Sequence, residues 1–498
     1  MHLNDNFSTE QELFEKLDFV YQKSKQNAGF NGILEIAFHE VTIITAIHNI
    51  KANHGSKTPG LDGETIDDYL QMSKEDLIKK IQAIVLCYVP QPVKRVYIKK
   101  TNGKLRPLGI PSILDRIIQE CIRIVIEPIL EARFYPHSYG FRPYRACKHA
   151  IRNIMNVINS PTKQKATYAI EGDIKAYFDN VNHRKLLGKL WKMGIKDKRI
   201  LAIIKEMLKA GYFELEFFQT DKGTPQGGIL SPLLANVYLN AFDWMIGRMY
   251  QEPRERKCKT VNKDRERLAR NGEQPKYLTR YADDWIITTT TDQEAKRLLT
   301  RLERYFKHKL KLELSKEKTV ITNMNDNPVR FLGFELRMER PRTTPERKDI
   351  KNVVCKPYPE REKVKRFRDL IGDQIAKLLL LPTEEKRVEQ INKINQKIVG
   401  AAEYWKTSIC KNVFDKIDYH VNYSAYKVFR KIYEKDYKSH KVELNRLSNY
   451  PYRHANRNSK TFAIRIGEKQ KLVGITLASI TPSQWERKPY NQRMTPYT

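Results

Sequence analysis

"RYADDWII", residues 280–287, sets two adjacent carboxylates, Asp283 and Asp284, between runs of aromatic and β-branched residues. Strand interiors disfavour aspartate, so the pair marks a bend between two strands, "KYLTRY" before it and "WIITTT" after it. At a tight hairpin both side chains project beyond the sheet edge. Holding two like charges there costs free energy unless a cation compensates them. Asp173, at the end of the strand-like run "ATYAIEGD", supplies a third carboxylate. Three carboxylates on adjacent strand ends make an all-oxygen site suited to Mg2+, and two such ions about 4 Å apart clamp the attacking and leaving oxygens of an in-line phosphoryl transfer. Each feature also has a plainer reading: Asp-Asp is a good turn pair, and a strand-end aspartate often caps the next helix.

Around this acidic pair the chain is strongly basic. Its 498 residues carry 91 Lys plus Arg against 58 Asp plus Glu, a formal net charge of +33. Such an excess points to a polyanionic partner, above all nucleic acid. The length exceeds one compact core and predicts two to four domains. Cysteines at 87, 121, 147, 258, 355 and 410 form no C-x-x-C pair, which argues against zinc ribbons and redox dithiols and suits a reducing interior. The N-terminal stretch lacks the basic and apolar regions of a signal peptide, and no apolar run reaches membrane-spanning length. The expected location is the cytoplasm, with no membrane partner.

Reading along the chain, residues 1–56 have helical apolar spacing. "PVKRVYIKKTNGKLRPLGIP", residues 92–111, predicts a basic hairpin with an Asn-Gly turn. "NHRKLLGKLWKMG" predicts a helix. "GTPQGGILSPLLANVYLNAFDWMI" predicts a glycine-rich loop running into a helix capped by Ser231, with Pro232 in its first turn. Leu230, Leu234, Val237, Ala241 and Met245 fall on one face of that helix. Residues 251–276 are polar with little periodicity and read as a solvated, lysine- and arginine-rich insertion. Strands are expected around 277–290, in "LELSKEKTVITN" and in "RFLGFELRM"; beyond about 358 the periodicity turns helical.

"YADD" flanked by hydrophobic strands resembles the signature of reverse transcriptases. "KTPGLDG", "GKLRPLGIP", "DRIIQE", "HSYGFRP", "GDIKAYFDNVNH", "GTPQGGILSPLLANVYL", "RYADD", "LSKEKT" and "FLGF" follow in the order of the sequence blocks of group II intron reverse transcriptases, also called maturases. The resemblance runs from about residue 40 to the end. It implies an α+β right-hand polymerase: fingers and an antiparallel palm sheet, then an α-helical thumb, the maturase or X domain. The corresponding division is an N-terminal extension and start of the fingers over 1–85, fingers and palm over 86–350, the thumb over 351–450 and a basic segment over 451–498. That last segment is either part of a DNA-binding region or the end of the thumb. By similarity Asp173, Asp283 and Asp284 are the catalytic metal ligands, for two Mg2+ ions with Mn2+ as a substitute. Lys99 and Arg106 match positions that hold the triphosphate, and Phe178 the aromatic under the incoming sugar. Gln226 matches a nucleotide contact and Lys318 a lysine near the nucleotide. Phe331, Leu332, Gly333 and Phe334 match the hairpin that grips the primer end. The aromatic-rich helices with Tyr404, Trp405, Tyr419, Tyr423 and Tyr426 offer rings that either stack on RNA bases or pack between helices. The implied partners are group II intron RNA, an RNA template with DNA primer, target DNA and dNTPs. Many relatives continue into a Cys/His-rich HNH endonuclease, and no cysteine follows Cys410, so that domain is not expected here. The alternatives are an RNA-binding splicing factor with a silent polymerase fold, and a domesticated or defence-associated bacterial reverse transcriptase.

Overall fold

The computed structural model describes residues 1–99, 103, 105–160, 165–213, 217–218, 222–223, 227–254, 257–340, 353–447, 459–467 and 471–481. The chain divides into two compact units. Of the described residues, the first draws on those within 1–157 and 165–322, the second on those within 158–160 and 323–481. Among the described residues no helix is long and apolar enough to cross a membrane.

The first unit opens with helices Glu10–Lys25, Glu40–Ala52 and Lys74–Leu86, whose N-caps Thr9, His39 and Ser73 each accept a first-turn amide. They pack with the helix Ile113–Glu131, in which Ser112 and Asp115 bond reciprocally at the first turn. The strands are β1 (Val93–Lys99), β2 (Leu105–Ile110), β3 (Tyr168–Gly172), β4 (Tyr212–Phe213), β5 (Phe217–Phe218), β6 (Tyr277–Tyr281), β7 (Asp284–Thr289) and β8 (Val320–Asn323). The expected basic hairpin is present as β1 and β2, with Gly103 at φ +79° in its turn, and it belongs to a sheet of order β2-β1-β4-β5.

The central sheet has the order β6-β7-β3-β8. β7 pairs antiparallel with both β6 and β3. Leu278, Arg280, Trp285, Ile287, Ile170 and Gly172 share one face by register. Helices Ser231–Gly247 and Asp292–Tyr305 pack on the sheet, the former bringing Phe242 against Trp285. On the opposite face Asn153 Nδ2, from helix Cys147–Ile158, donates to Thr279 Oγ1 at 2.8 Å.

Three expectations need correction. Ser231 is the first helical residue rather than the cap; Leu230 holds the cap position, and Pro232 lies in the first turn as expected. The helix it opens has no single apolar stripe. Ala241 is exposed and Met245 half-buried, while Leu233, Tyr238, Leu239, Phe242 and Ile246 are buried, because neighbours enclose most of its circumference. The insertion 251–276 contains a helix, Val261–Arg270, capped by Thr260. Polar anchors hold it: the fully buried Asp264 accepts from the Lys257 amide at 3.1 Å, and Arg265 donates to the Gln251 carbonyl.

In the second unit β9 (Val329–Phe331), β10 (Phe334–Glu339) and β11 (Val354–Pro359) form an antiparallel sheet of order β11-β10-β9. The "FLGF" residues therefore form a hairpin outside the central sheet. Helices Arg361–Ala376, Glu384–Trp405 and Lys411–Tyr433 follow, then a sheet of β12 (Lys441–Glu443), β13 (Lys460–Ile466) and β14 (Lys471–Gly474). This last part closes back onto the helices. Asn395 bonds the Gly474 carbonyl and the Thr476 amide, both at 2.8 Å, and the Asp418 carboxylate accepts the Ala478 and Ser479 amides.

Candidate active site

β6 and β7 meet at a two-residue turn, Ala282–Asp283, closed by the pairing of Tyr281 with Asp284. Ala282 takes φ +58°, a left-handed conformation that costs about 1–2 kcal/mol for a residue with a Cβ. Its carbonyl accepts from Arg280 Nη1 at 2.7 Å. Arg280 is wholly buried, and its remaining donors go to helix Ser231–Gly247. Nε and Nη2 fork onto the two oxygens of Asp243 at 2.7 and 2.6 Å, and Nη1 also reaches Asn236 Oδ1 at 2.9 Å. Burial pushes the Asp243 carboxyl up, and the Arg280 charge beside it pulls it back. Asn236 donates in turn to the Gly140 carbonyl at 2.8 Å. A Cβ added to Gly140 would lie 2.3 Å from the Ala282 nitrogen. The acidic turn is thus cast against the helix and the Gly140 backbone.

Trp285, directly after the two aspartates, explains Gly172. The two residues face each other across β7 and β3, and a Cβ on Gly172 would sit 1.9 Å from the indole ring. Trp285 is 1% exposed, stacks on Phe306 at 6.2 Å and meets the edge of Phe242 at 5.5 Å. The indole lies across β3 just below the acidic end of the sheet. Gly172→Ala is therefore expected to overpack this contact by about 1–3 kcal/mol and lower the thermal midpoint by at least about 2 °C. A midpoint within measurement error of wild type would refute the close-approach account of Gly172.

The ladder ends at the Gly172–Trp285 pair; Asp173 and Asp284 are the next residues beyond it on the two chains, with Asp283 next to Asp284 in the turn. Asp283 is half-buried. Burial raises its carboxyl above the ordinary range; the Asp173 charge adds to this, while Arg106 and Arg280 lower it. Lys318 Nζ donates to Asp173 Oδ2 at 2.9 Å. That bond raises the lysine above its usual value, and the charges of Asp284 and Asp283 add to it. The loop carrying Lys318 is clipped to the strand end, since the Ser315 amide donates to the Asp173 carbonyl at 2.9 Å. Among the described residues no three acidic, histidine or cysteine side chains are drawn into a closed metal cage. The donor set nevertheless suits a hard divalent cation: carboxylate oxygens only, an excess of negative charge at two strand ends, and one ammonium already engaged with it.

Lys99 pairs with Leu105, and Arg106 with Ile98. Residues directly opposite in a ladder share a face, so Lys99 and Arg106 leave opposite faces of the ribbon, and the Arg106 charge acts on Asp283. Phe178 begins a single 3-10 turn, is 8% exposed and meets the exposed Phe141 edge-on at 6.5 Å, so most of its ring is covered. Gln226 lies outside the described residues. Its neighbour Gly227, at φ +129°, presses on β2: a Cβ there would lie 2.2 Å from the Gly109 carbonyl oxygen. Phe331 to Phe334 form the β9–β10 turn of the second unit. Arg280, Asp243, Asn236, Gly140 and Gly172 were not singled out from the sequence. The available signal was two polar residues, Asn236 and Asp243, seven apart on an apolar helix.

The family model described as reverse transcriptase (RNA-dependent DNA polymerase) matches residues 98–336. The group II intron-encoded protein LtrA of Lactococcus lactis subsp. cremoris is 33% identical, over 77% of this chain and 71% of that protein. Protein YkfC of Escherichia coli (strain K12) is 37% identical, over 58% of this chain and 79% of its own length. Nuclear intron maturase 4, mitochondrial, of Arabidopsis thaliana is 29% identical over 27% of this chain and 16% of that protein.

Proposed function

The chain belongs to the group II intron-encoded reverse transcriptases and maturases and is an RNA-directed DNA polymerase, and from this premise we propose that Asp173, Asp283 and Asp284 are its catalytic carboxylates. What supports the assignment is that Asp173 and Asp284 are the first residues beyond the last pair of the β3–β7 ladder, and that the charges of all three act on Lys318. The family works with divalent metal. Two Mg2+ ions, with Mn2+ as a substitute, would bind these carboxylates, lower the pKa of the primer 3′-hydroxyl and neutralise charge building on the triphosphate. The 3′ oxygen then bonds to the α-phosphorus, the bond to the bridging oxygen breaks, and pyrophosphate leaves.

The chain's own residues orient this exchange. Arg106 meets the triphosphate, Phe178 limits space at the 2′ position of the sugar, and Gln226 contacts the incoming nucleotide. Lys318 lies near the nucleotide, and its bond to Asp173 would give way where that carboxylate held a metal. The hairpin from Phe331 to Phe334 holds the primer end. In this reading the fingers start within residues 1–85, fingers and palm run over 86–350, and residues 351–450 form the thumb. The partners are intron RNA, an RNA template with a DNA primer, dNTPs and target DNA. The protein works in the cytoplasm as a ribonucleoprotein and reaches the nucleoid when bound to target DNA.

The opposite faces of Lys99 and Arg106 make the nucleotide contacts separable. Arg106→Ala is expected to raise the dNTP KM about tenfold or more, since a charge-assisted contact contributes ~1.5–3 kcal/mol. Lys99→Ala is expected to raise it much less. Equal effects in steady-state incorporation would show that both cations reach the triphosphate and that register does not sort them. Extension of a DNA primer on an RNA template with dNTPs and Mg2+ tests the reading as a whole.

A further inference from the structure

We propose that Tyr404 is a positioning residue for the primer end, its hydroxyl holding the Leu332–Gly333 turn in shape. The proposal rests on the reading of that turn as the primer grip. β9 and β10 are joined by these two residues, closed by the pairing of Phe331 with Phe334. Both turn residues have positive φ, +48° at Leu332 and +74° at Gly333. A two-residue turn of this kind favours Asn or Gly at its first position, and leucine there carries backbone strain. The turn must therefore be held by its surroundings.

Each of its two carbonyls has a donor from outside the hairpin strands. Tyr404 Oη donates to the Leu332 oxygen at 2.6 Å, and the Glu360 amide donates to the Gly333 oxygen at 3.0 Å. The Tyr404 ring also stacks on Phe334, with centroids 5.3 Å apart and planes 21° from parallel. Phe334 is 1% exposed, whereas Tyr404 remains 41% exposed, so the phenol covers the turn from its solvent side. The space is close: a Cβ on Gly333 would lie 3.2 Å from Lys363 Nζ and 3.5 Å from the Tyr404 ring. Tyr404 is the penultimate residue of helix Glu384–Trp405, and its neighbour Trp405 is buried against the edge of Phe367 at 5.7 Å. The helix end is fixed by the tryptophan and presents the tyrosine to the turn, so a displacement of that helix end is passed to the residues that meet the primer.

Tyr404→Phe removes the hydroxyl and keeps the stack. In steady-state extension of a DNA primer on an RNA template, the KM for primer–template is expected to rise about three- to tenfold, the loss of one hydrogen bond. The kcat at saturating primer–template should change less than twofold, and the thermal midpoint should match wild type. Gly333→Val, which forces a branched side chain onto a positive φ, is the reference for the grip itself and should raise the same KM. If Gly333→Val raises the KM and Tyr404→Phe does not, Tyr404 has no positioning role and the grip reading stands. If neither variant moves the KM, the grip reading falls and the proposal with it. A Tyr404→Phe protein that loses thermal stability with no change in KM would show a merely structural hydroxyl and overturn the proposal.

Discussion

Asp173→Asn is expected to lower RNA-templated primer extension by about 10³-fold or more, with RNA binding and thermal stability close to wild type. The rate loss corresponds to ~4 kcal/mol of barrier, in keeping with several kcal/mol of charge stabilisation supplied by metals at such a site. Asparagine keeps the shape of the side chain and removes the charge that opposes Asp283 and holds Lys318. Stability should barely change, because the bond to Lys318 joins a lysine with a 67% exposed side chain, and exposed ion pairs contribute little. Single-turnover extension beside a thermal melt checks both halves. A variant retaining a tenth of wild-type activity would remove Asp173 from the catalytic set.

Arg280→Met should act in the opposite way, through the fold. Its fork on Asp243 is wholly buried, and deleting one partner of such a pair leaves an uncompensated charge that costs about 3–5 kcal/mol. The thermal midpoint is expected to fall by about 4–7 °C. Lysine is no substitute, since a single ammonium cannot span Asp243, Asn236 and the Ala282 carbonyl together. Pairing the change with Asp243→Leu removes the stranded carboxylate and should recover much of the stability. Extension should stay impaired, because the Ala282 carbonyl still lacks the donor that holds the acidic turn. If the paired variant recovers stability and full activity together, Arg280 serves the core alone.

The parts of this site that repeat along the chain were legible in the sequence. Alternation around "RYADDWII", a strand ending at Asp173 and the Asn-Gly turn of the basic hairpin are local signals, and β3, β6, β7 and the β1–β2 pair follow them. Contacts made over long separations were not legible. Arg280 meets Asp243 across 37 residues, and an arginine in a strand does not reveal from local pattern that it points inward. The contact of Trp285 with Gly172 comes from the register between β3 and β7, which no local pattern gives. The insertion helix Val261–Arg270 escaped because Asp264, Arg265 and Thr260 hold it, and polar anchors leave no apolar period. Burial around helix Ser231–Gly247 likewise depends on neighbours such as Phe306 and Arg280 rather than on its own spacing.

The most direct test is extension of a DNA primer on an RNA template, with dNTPs and Mg2+, by the wild-type protein and by one carrying Asp283→Asn with Asp284→Asn. Both proteins should first be matched for folding and RNA binding. Wild type should copy the template, and the paired variant should give no product above background. If the two extend alike, the carboxylates at the β6–β7 turn are not the catalytic centre, and the assignment of polymerase chemistry to the ends of β3 and β7 is wrong.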